Sequence, residues 1–298
     1  MKFIKKHPVL VVFLLVFGAY VFWNYFRPVN MNEKIDKESD HYVNDMYLVE
    51  GKSYDTLTRE AQALYMTMLK DISKNKVETK FEGPEYNCDV FSSNTENSCA
   101  KLVDKVLEAI NLDHPELIQW GAYSQMQIGE FQKVDYRYNI KSNALTIIHT
   151  AKMTRMIHDI KNKTNNMDDA DKIKYVYEWV SRSEYEYSLS ASTKEQSAFD
   201  LFDKKKSTSA GFAKASQIIF QNIGIESYLV MGQTTGKHMW NIIKFKDKYY
   251  YFDSTYSATI SKDSTNYYSG IGPLTESYLL DYPNLYPQID GDESIVTQ

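Results

Sequence analysis

Two runs in the last third of the chain bring a histidine and an aspartate within reach of each other. HMWNIIKF (238–245) and KYYYFDST (248–255) both read as strands, separated only by Lys246 and Asp247. A two-residue hairpin pairs Phe245 with Lys248. Following the register outward sets Trp240 opposite Asp253 and His238 opposite Thr255. These four side chains then share one face, because strand partners point the same way. His238 and Asp253 become diagonal neighbours across ~7–8 Å of backbone, a gap that polar side chains bridge. A loop of odd length would turn Asp253 to the other face. Lys-Asp is not a favoured pair for the mirror-image turn of short hairpins, so a four-residue loop in the same register serves equally. An imidazole oriented by a carboxylate is the base half of a nucleophilic triad.

The nucleophile belongs where a loop turns into a helix, and KKKSTSAGFAKASQIIF (204–220) has that form. Ser207 or Thr208 can serve as N-cap. Phe212, Ala215 and Ile219 make a buried stripe, and Gly224 closes the helix in a left-handed conformation. The unsatisfied N–H groups at a helix start favour an anion and lower a thiol's pKa, so cysteine gains most from this placement. The segment offers only serines and a threonine.

The elements around these runs follow from periodicity. Leu57, Ala61, Leu64, Met68 and Ile72 keep helical spacing behind a cap at Asp55, and a second helix runs from about 98 to 111. VDYRYNI (134–140) alternates as a strand does. The stretch 144–162 fits strand or helix, with helix favoured after Ala151. DDADKIKYVYEWVSRS (168–183) opens on acidic residues suited to a helix N-terminus, and Ile173, Val176, Tyr177 and Val180 form its apolar face. IESYLVMG (225–232) supplies a further strand. One helix feeding an antiparallel sheet makes an α+β unit.

Composition narrows the setting. The net charge of -5 over 298 residues leaves no basic footprint, which argues against nucleic acid as a partner. The 24 tyrosines and 14 phenylalanines fit a biased codon usage as well as a surface for stacking carbohydrate. Lys2, Lys5 and Lys6 precede an uncharged run from Pro8 to Phe26, long enough to cross a hydrocarbon core of ~30 Å. Trp23, Tyr25 and Phe26 suit the interface, and the lysines place the N-terminus in the cytoplasm. Phe17 spoils the small-residue pattern that a cleavage site after Ala19 would need, so the run reads as a signal anchor. Cys88 and Cys99, the only cysteines, can close one disulfide or remain two free thiols. The six histidines are scattered and no Cys-x-x-Cys occurs, so no metal site is expected. His149 and His158 read as ordinary residues, and DGDES (290–294) as a solvated tail.

Taken together, these runs resemble the transglutaminase-like superfamily of papain-type thiol enzymes, with its Cys-x-Gly-Tyr/Phe-Ala, His-x-Trp-Asn and Asp-x-Thr pattern. Gly211-Phe212-Ala213, His238-Met239-Trp240-Asn241 and Asp253-Ser254-Thr255 carry the likeness in order and spacing, over about residues 168–256. QSAFDLF (196–202) is similar to the short segment that usually precedes the nucleophile loop, and DHPEL (113–117) resembles a phrase common upstream of the core in bacterial members. The resemblance implies an α+β fold with a papain-like, transglutaminase-like core, its nucleophile helix packed on an antiparallel sheet. It puts the family's histidine on His238 and its aspartate on Asp253. Gly211, Phe212, Trp240, Asn241 and Thr255 would line the site, although a strand tryptophan such as Trp240 is as often core. It implies acyl transfer by transamidation or amide hydrolysis on a peptide, protein or cell-wall-linked ligand, without metal or organic cofactor.

The expected organisation is a cytoplasmic N-terminus (1–7), a transmembrane anchor (8–26) and a linker (27–52). A mainly helical region (53–150), the transglutaminase-like domain (151–275) and a C-terminal tail (276–298) follow. Everything beyond the anchor is expected outside the cell, most simply on a Gram-positive-type bacterium. The departure from the family pattern is Ser209, which falls on the cysteine. A hydroxyl is a far weaker acid than a thiol and sits farther from the histidine in a site shaped for sulfur. The favoured expectation is a site impaired in turnover that binds ligand in the old cleft, whether the serine is natural or a replaced cysteine. An active Ser-His-Asp acyl hydrolase and a structural or partner-binding module are the alternatives.

Overall fold

The structure, a computed structural model, describes residues 52–81, 99–127, 132–186, 196–258, 268–272, 278–291 and 295. The apolar run 8–26 and Cys88 lie outside them, so neither the anchor nor the disulfide is placed. Among the described residues no helix is long and apolar enough to cross a membrane.

In chain order the elements are helices α1 (Lys52–Asp55) and α2 (Arg59–Ser73), strand β1 (Glu78–Phe81) and helix α3 (Cys99–Asp113). Strands β2 (Trp120–Gln127) and β3 (Gln132–Tyr138) and helices α4 (Asn143–Thr164) and α5 (Asp169–Ser181) come next. Strand β4 (Glu184–Tyr185), helix α6 (Ala198–Lys204) and strand β5 (Lys206–Ser207) lead into helix α7 (Ser209–Ile223). Strands β6 (Ser227–Gln233), β7 (Lys237–Phe245), β8 (Lys248–Phe252), β9 (Ile271–Gly272) and β10 (Leu279–Leu280) follow, then a short 3-10 turn at Pro283–Leu285.

The main sheet is antiparallel with strand order β10-β6-β7-β8-β9. Helices α4 to α7 cover one face, where Ile157, Val176, Phe202, Phe212 and Phe220 meet Ile243, Phe245 and Phe252 of the sheet. Each such side chain, once buried, contributes roughly 1.5–3 kcal/mol, so the apolar stripe of α7 decides which way the helix faces. The opposite face carries Val230, Trp240, Ile242 and Tyr251, closed by Tyr286 from the C-terminal segment. Strand alternation sorts β7 between the two: Trp240 and Ile242 go one way, Asn241 and Ile243 the other.

Register is set at the β7–β8 turn. Phe245 pairs with Lys248 and Asn241 with Phe252, as a two-residue loop demands. Lys246 and Asp247 both take positive φ, 47° and 63°, which the mirror-image turn requires and side-chain-bearing residues resist. The flanking ladder holds them there, so the less favoured Lys-Asp sequence still makes the short loop.

Beside its helices, the region 53–150 holds a three-stranded antiparallel sheet of β1, β3 and β2. β2 is hard to see in sequence because WGAYSQMQ contains no β-branched residue. Three expectations need correction. The cap of the first long helix is Thr58, whose side chain accepts from Ala61 N, while Asp55 ends the separate turn α1. α4 is helical from Asn143 and runs across residue 150. Its strand-like opening is exposed at Leu145 and Ile148, and its buried residues Met153, Ile157, Ile160 and Thr164 keep helical spacing. Finally, the described residues of the C-terminal tail expected at 276–298 pack against the rest of the domain. Leu279 and Leu280 pair with β6, Asp290 accepts a hydrogen bond from Tyr249 N, and Tyr286 and Ile295 are buried.

Candidate active site

Helix α7 begins at Ser209, with Thr208 as an extended N-cap that makes no side-chain capping bond. Ser209 is only 8% exposed. Gly211 fits because the chain passes too close for any side chain: an added Cβ would lie 1.9 Å from Ser207 Oγ and 2.9 Å from Ser197 O. Gly211 therefore sets the seat of the helix start against the α6 cap, where a side-chain-bearing residue would push the two apart. Phe212 is fully buried and meets Tyr185 edge-on, so it belongs to the core.

The helix is pinned to the sheet by Asn241. Its Nδ2 donates to Ala213 O at 3.0 Å and to Gln217 Oε1 at 3.2 Å. Ala213 lies one helical turn beyond Ser209, and Asn241 lies on the strand that begins beside His238. This bridge fixes the offset between the helix that carries Ser209 and the strand that carries His238. Asn241 is 1% exposed, so the bridge is made in a dry setting where an unmade bond is costly.

His238 and Asp253 are brought together as the register requires. Nε2 of His238 lies 2.8 Å from Asp253 Oδ2, with the two side chains 11% and 5% exposed. Burial pushes the Asp253 carboxyl up, but His238 outweighs it, helped by Thr255 and Tyr278, and the group is held below the usual carboxylate value. An ionised carboxylate only accepts, so Nε2 is the donor and neutral His238 keeps its lone pair on Nδ1. Nδ1 is thus the nitrogen left open to take a proton, the reverse of the arrangement in chymotrypsin-type triads. Among the described residues no hydrogen bond joins Ser209 to His238. The base pair is assembled, and the serine stands apart from it at the head of α7.

The Asp253 carboxylate is fully occupied. Oδ1 accepts from Thr255 N at 3.0 Å and Thr255 Oγ1 at 2.5 Å, and Oδ2 accepts from His238 Nε2 and from Tyr278 OH at 2.7 Å. Four donors match the four lone-pair positions of a carboxylate. Its own amide donates to Gly270 O, and Ser181 Oγ of α5 donates to Ser254 O. Trp240 lies nearly parallel to His238 at 5.8 Å and is buried, so it is both core and the floor under the imidazole. Tyr278 meets His238 edge-on at 6.4 Å and Trp240 at 5.1 Å. Burial, then Asp253, push the Tyr278 hydroxyl well above its ordinary pKa, so it stays protonated and donates.

Tyr278 and Gln217 are site residues that the sequence pattern does not mark. Tyr278 follows Asp253 by a long excursion and belongs to no motif. Its only trace is a run of tyrosines at 278, 282 and 286. The other described histidines serve elsewhere: His149 stacks on Phe199, His158 bonds to Asn162, and His114 pairs with Glu116. Among the described residues no group of histidine, cysteine, aspartate and glutamate is arranged to hold a metal ion. A cleft of about 320 Å³ opens between α1, α3 and residues 281–285, with Lys105, Glu108, Asp281 and Tyr282 on its walls. It includes none of Ser209, His238 and Asp253.

Residues 158–254 match the model of the transglutaminase-like superfamily, a span that contains all three of these residues. No curated protein matches the chain. Among solved structures, one described as a TGase shares 14% identity at a TM-score of 0.33, covering 54% of this chain and 49% of that one. A candidate cysteine protease from Cytophaga hutchinsonii shares 15% at a TM-score of 0.30, covering 35% of this chain and 37% of that one. The chain thus spans about half the length of the first and less of the second. Over residues 158–254 this chain carries a core of the transglutaminase-like superfamily.

Proposed function

We propose that this is a membrane-anchored, extracytoplasmic protein whose transglutaminase-like site binds peptide or cell-wall-linked ligands and, with Ser209 in the nucleophile's place, is impaired in turnover. The observation that supports it is the His238–Asp253 hydrogen bond at 2.8 Å. The base half of an acyl-transfer site is complete and buried, while the residue at the head of α7 is a serine without a bond to it. Anchoring rests on the uncharged run from Pro8 to Phe26 behind three lysines.

In an active site of this layout the nucleophile would attack an amide carbonyl and give its proton to His238 Nδ1. Asp253 would hold the imidazolium through Nε2, and the backbone N–H of residue 209 would help hold the oxyanion. A thiol enters that sequence readily, because its anion is accessible near neutral pH and an adjacent imidazolium stabilises it further. A serine needs Nδ1 aligned on its hydroxyl during attack, and that contact is missing here.

The test is Ser209→Cys in the full chain, treated with iodoacetamide, with the modified residue assigned by peptide mass. Alkylation at position 209 well below pH 7 is the expected result. A thiol that reacts only as an unperturbed cysteine does would sink the idea of an intact site. A fluorophosphonate probe on the unaltered chain decides the serine-hydrolase alternative. Labelling at Ser209 that vanishes in His238→Ala would replace impairment with activity.

A further inference from the structure

The matched core ends at Ser254, yet the carboxylate of the dyad is completed by a residue well beyond it. Tyr278 leads directly into β10, where Leu279 pairs with Gln233 and Leu280 with Gly232 of β6. Gly232 in turn pairs with His238. The same segment is tied down by Asp281 N donating to Met231 O, by the Tyr282–Glu108 hydrogen bond, and by Asp290 accepting from Tyr249 N. Gly232 permits the close approach: a Cβ there would lie 2.1 Å from Leu279 O. The strap is thus fixed at several points along its length, and the first described residue at its head, Tyr278, reaches the site.

What that residue does there is specific. Without it, Asp253 would hold three donors: two from Thr255 on Oδ1 and one from His238 on Oδ2. The Tyr278 hydroxyl takes the last lone pair, on the same oxygen that faces the imidazole. It fixes the carboxylate against rotation and shares out the negative charge that would otherwise fall on the Nε2–H bond. Its ring, edge-on to both His238 and Trp240, also covers the pair from solvent.

We infer that Tyr278 is a positioning residue of the site, acting through Asp253, so that docking of the 278–291 strap on β6 and assembly of the His238–Asp253 pair are one event. This rests on the reading of His238 and Asp253 as the base half of the site, and the experiment separates the two.

The full chain is labelled with nitrogen-15 in its six histidines only, and the Nε2–H proton of His238 is followed in four forms. In the unaltered chain a low-field Nε2–H resonance is expected, and Asp253→Asn should shift it strongly upfield or abolish it. Tyr278→Phe keeps the ring and removes only the hydroxyl. It should move the resonance further downfield, because Oδ2 no longer divides its charge between two donors. Tyr251→Phe is the matched control: its ring packs against Tyr278 and Trp240, but its hydroxyl makes no bond to Asp253, and the resonance should stay in place. If Asp253→Asn shifts the signal and Tyr278→Phe does not, or moves it upfield, Tyr278 is mere packing and the inference is overturned. If Asp253→Asn leaves the signal unmoved, the dyad itself is refuted. Should Tyr278→Phe fail to fold, the hydroxyl proton of Tyr278 in the unaltered chain decides. Slowed exchange that Asp253→Asn abolishes supports the bond, and rapid exchange with water in the folded chain refutes it.

Discussion

Lys214 offers an unusual prediction, because replacing it with an apolar residue should stabilise the protein. It lies on α7, 7% exposed, and its Nζ donates to Asn111 Oδ1 of α3 at 2.6 Å. Burial pulls the ammonium down from the ordinary 10.5 to about 8, and the charge of Glu116 only partly resists. At about 1.4 kcal/mol per pH unit, keeping that lysine charged costs the fold on the order of 3 kcal/mol near neutrality. Lys214→Met removes the charge and keeps most of the volume. It forfeits the charge-assisted bond to Asn111, a loss of roughly 1.5–3 kcal/mol, and Asn111 is exposed enough to bond water instead. A net gain of up to about 1.5 kcal/mol near pH 7 should remain. The sign follows from linkage. The folded state releases the Lys214 proton at lower pH than the unfolded chain does. Between about pH 8 and 10.5 the unfolded state therefore binds more protons, and the stability of the unaltered chain rises with pH. The advantage of Lys214→Met should shrink through that window and reverse toward its upper end, where only the lost hydrogen bond remains. Guanidinium unfolding of both chains across the window measures the difference, with the other titrations cancelling between them. A variant that is less stable near neutrality by an amount independent of pH would refute the claim that a charged lysine is buried at a cost.

Three further outcomes follow from the site. Asn241→Ala removes both bonds from β7 to α7 and should lower stability by about 2–3 kcal/mol, read from the same denaturation midpoints. A loss below about 0.5 kcal/mol would show that the bridge fixes nothing. Gly211→Ala forces a Cβ into Ser207 Oγ and Ser197 O, and should cost about 1–3 kcal/mol, with raised protease sensitivity around residue 209. In a Ser209→Cys background, Asp253→Asn should slow alkylation at position 209 by roughly a hundredfold at mildly acid pH, because the imidazolium loses its partner. Equal rates with and without the carboxylate would remove Asp253 from the proposed mechanism.

What the sequence made legible was local or periodic. The His238–Asp253 pair could be derived from two strand runs and the loop between them, because register in a short hairpin is fixed by counting. The Asp168 cap and the apolar face of α5 could be read because both depend on residues a few positions apart. α7 was legible at both ends, from Thr208 to the left-handed Gly224 at φ 81°. The misses share a different cause. β2 lacks the β-branched residues that announce a strand and gains its place by pairing with β3. Leu145 and Ile148 imitate a strand but lie exposed on α4, since the buried residues downstream and the Ser142 cap decide that segment. Tyr278 could not be found at all, because nothing near it in the chain says that its hydroxyl ends beside Asp253. Long-range partners of a single side chain leave no period to detect.

The parts of the site divide by how much they depend on the side chain at 209. Asn241, Gly211, Trp240, Thr255 and Tyr278 are held by hydrogen bonds and packing in which the side chain at 209 takes no part. The same is true of the His238–Asp253 bond, whose energy comes from a buried carboxylate saturated by four donors. Burying that carboxylate costs several kcal/mol unless every lone pair is met, so the group cannot lose one donor without penalty. The scaffold is therefore stable as a unit whether residue 209 carries oxygen or sulfur. Ser209→Cys then changes one atom in an otherwise unaltered frame. A thiol that becomes reactive there must draw its reactivity from His238 and the start of α7, and one that stays inert must be out of reach of both.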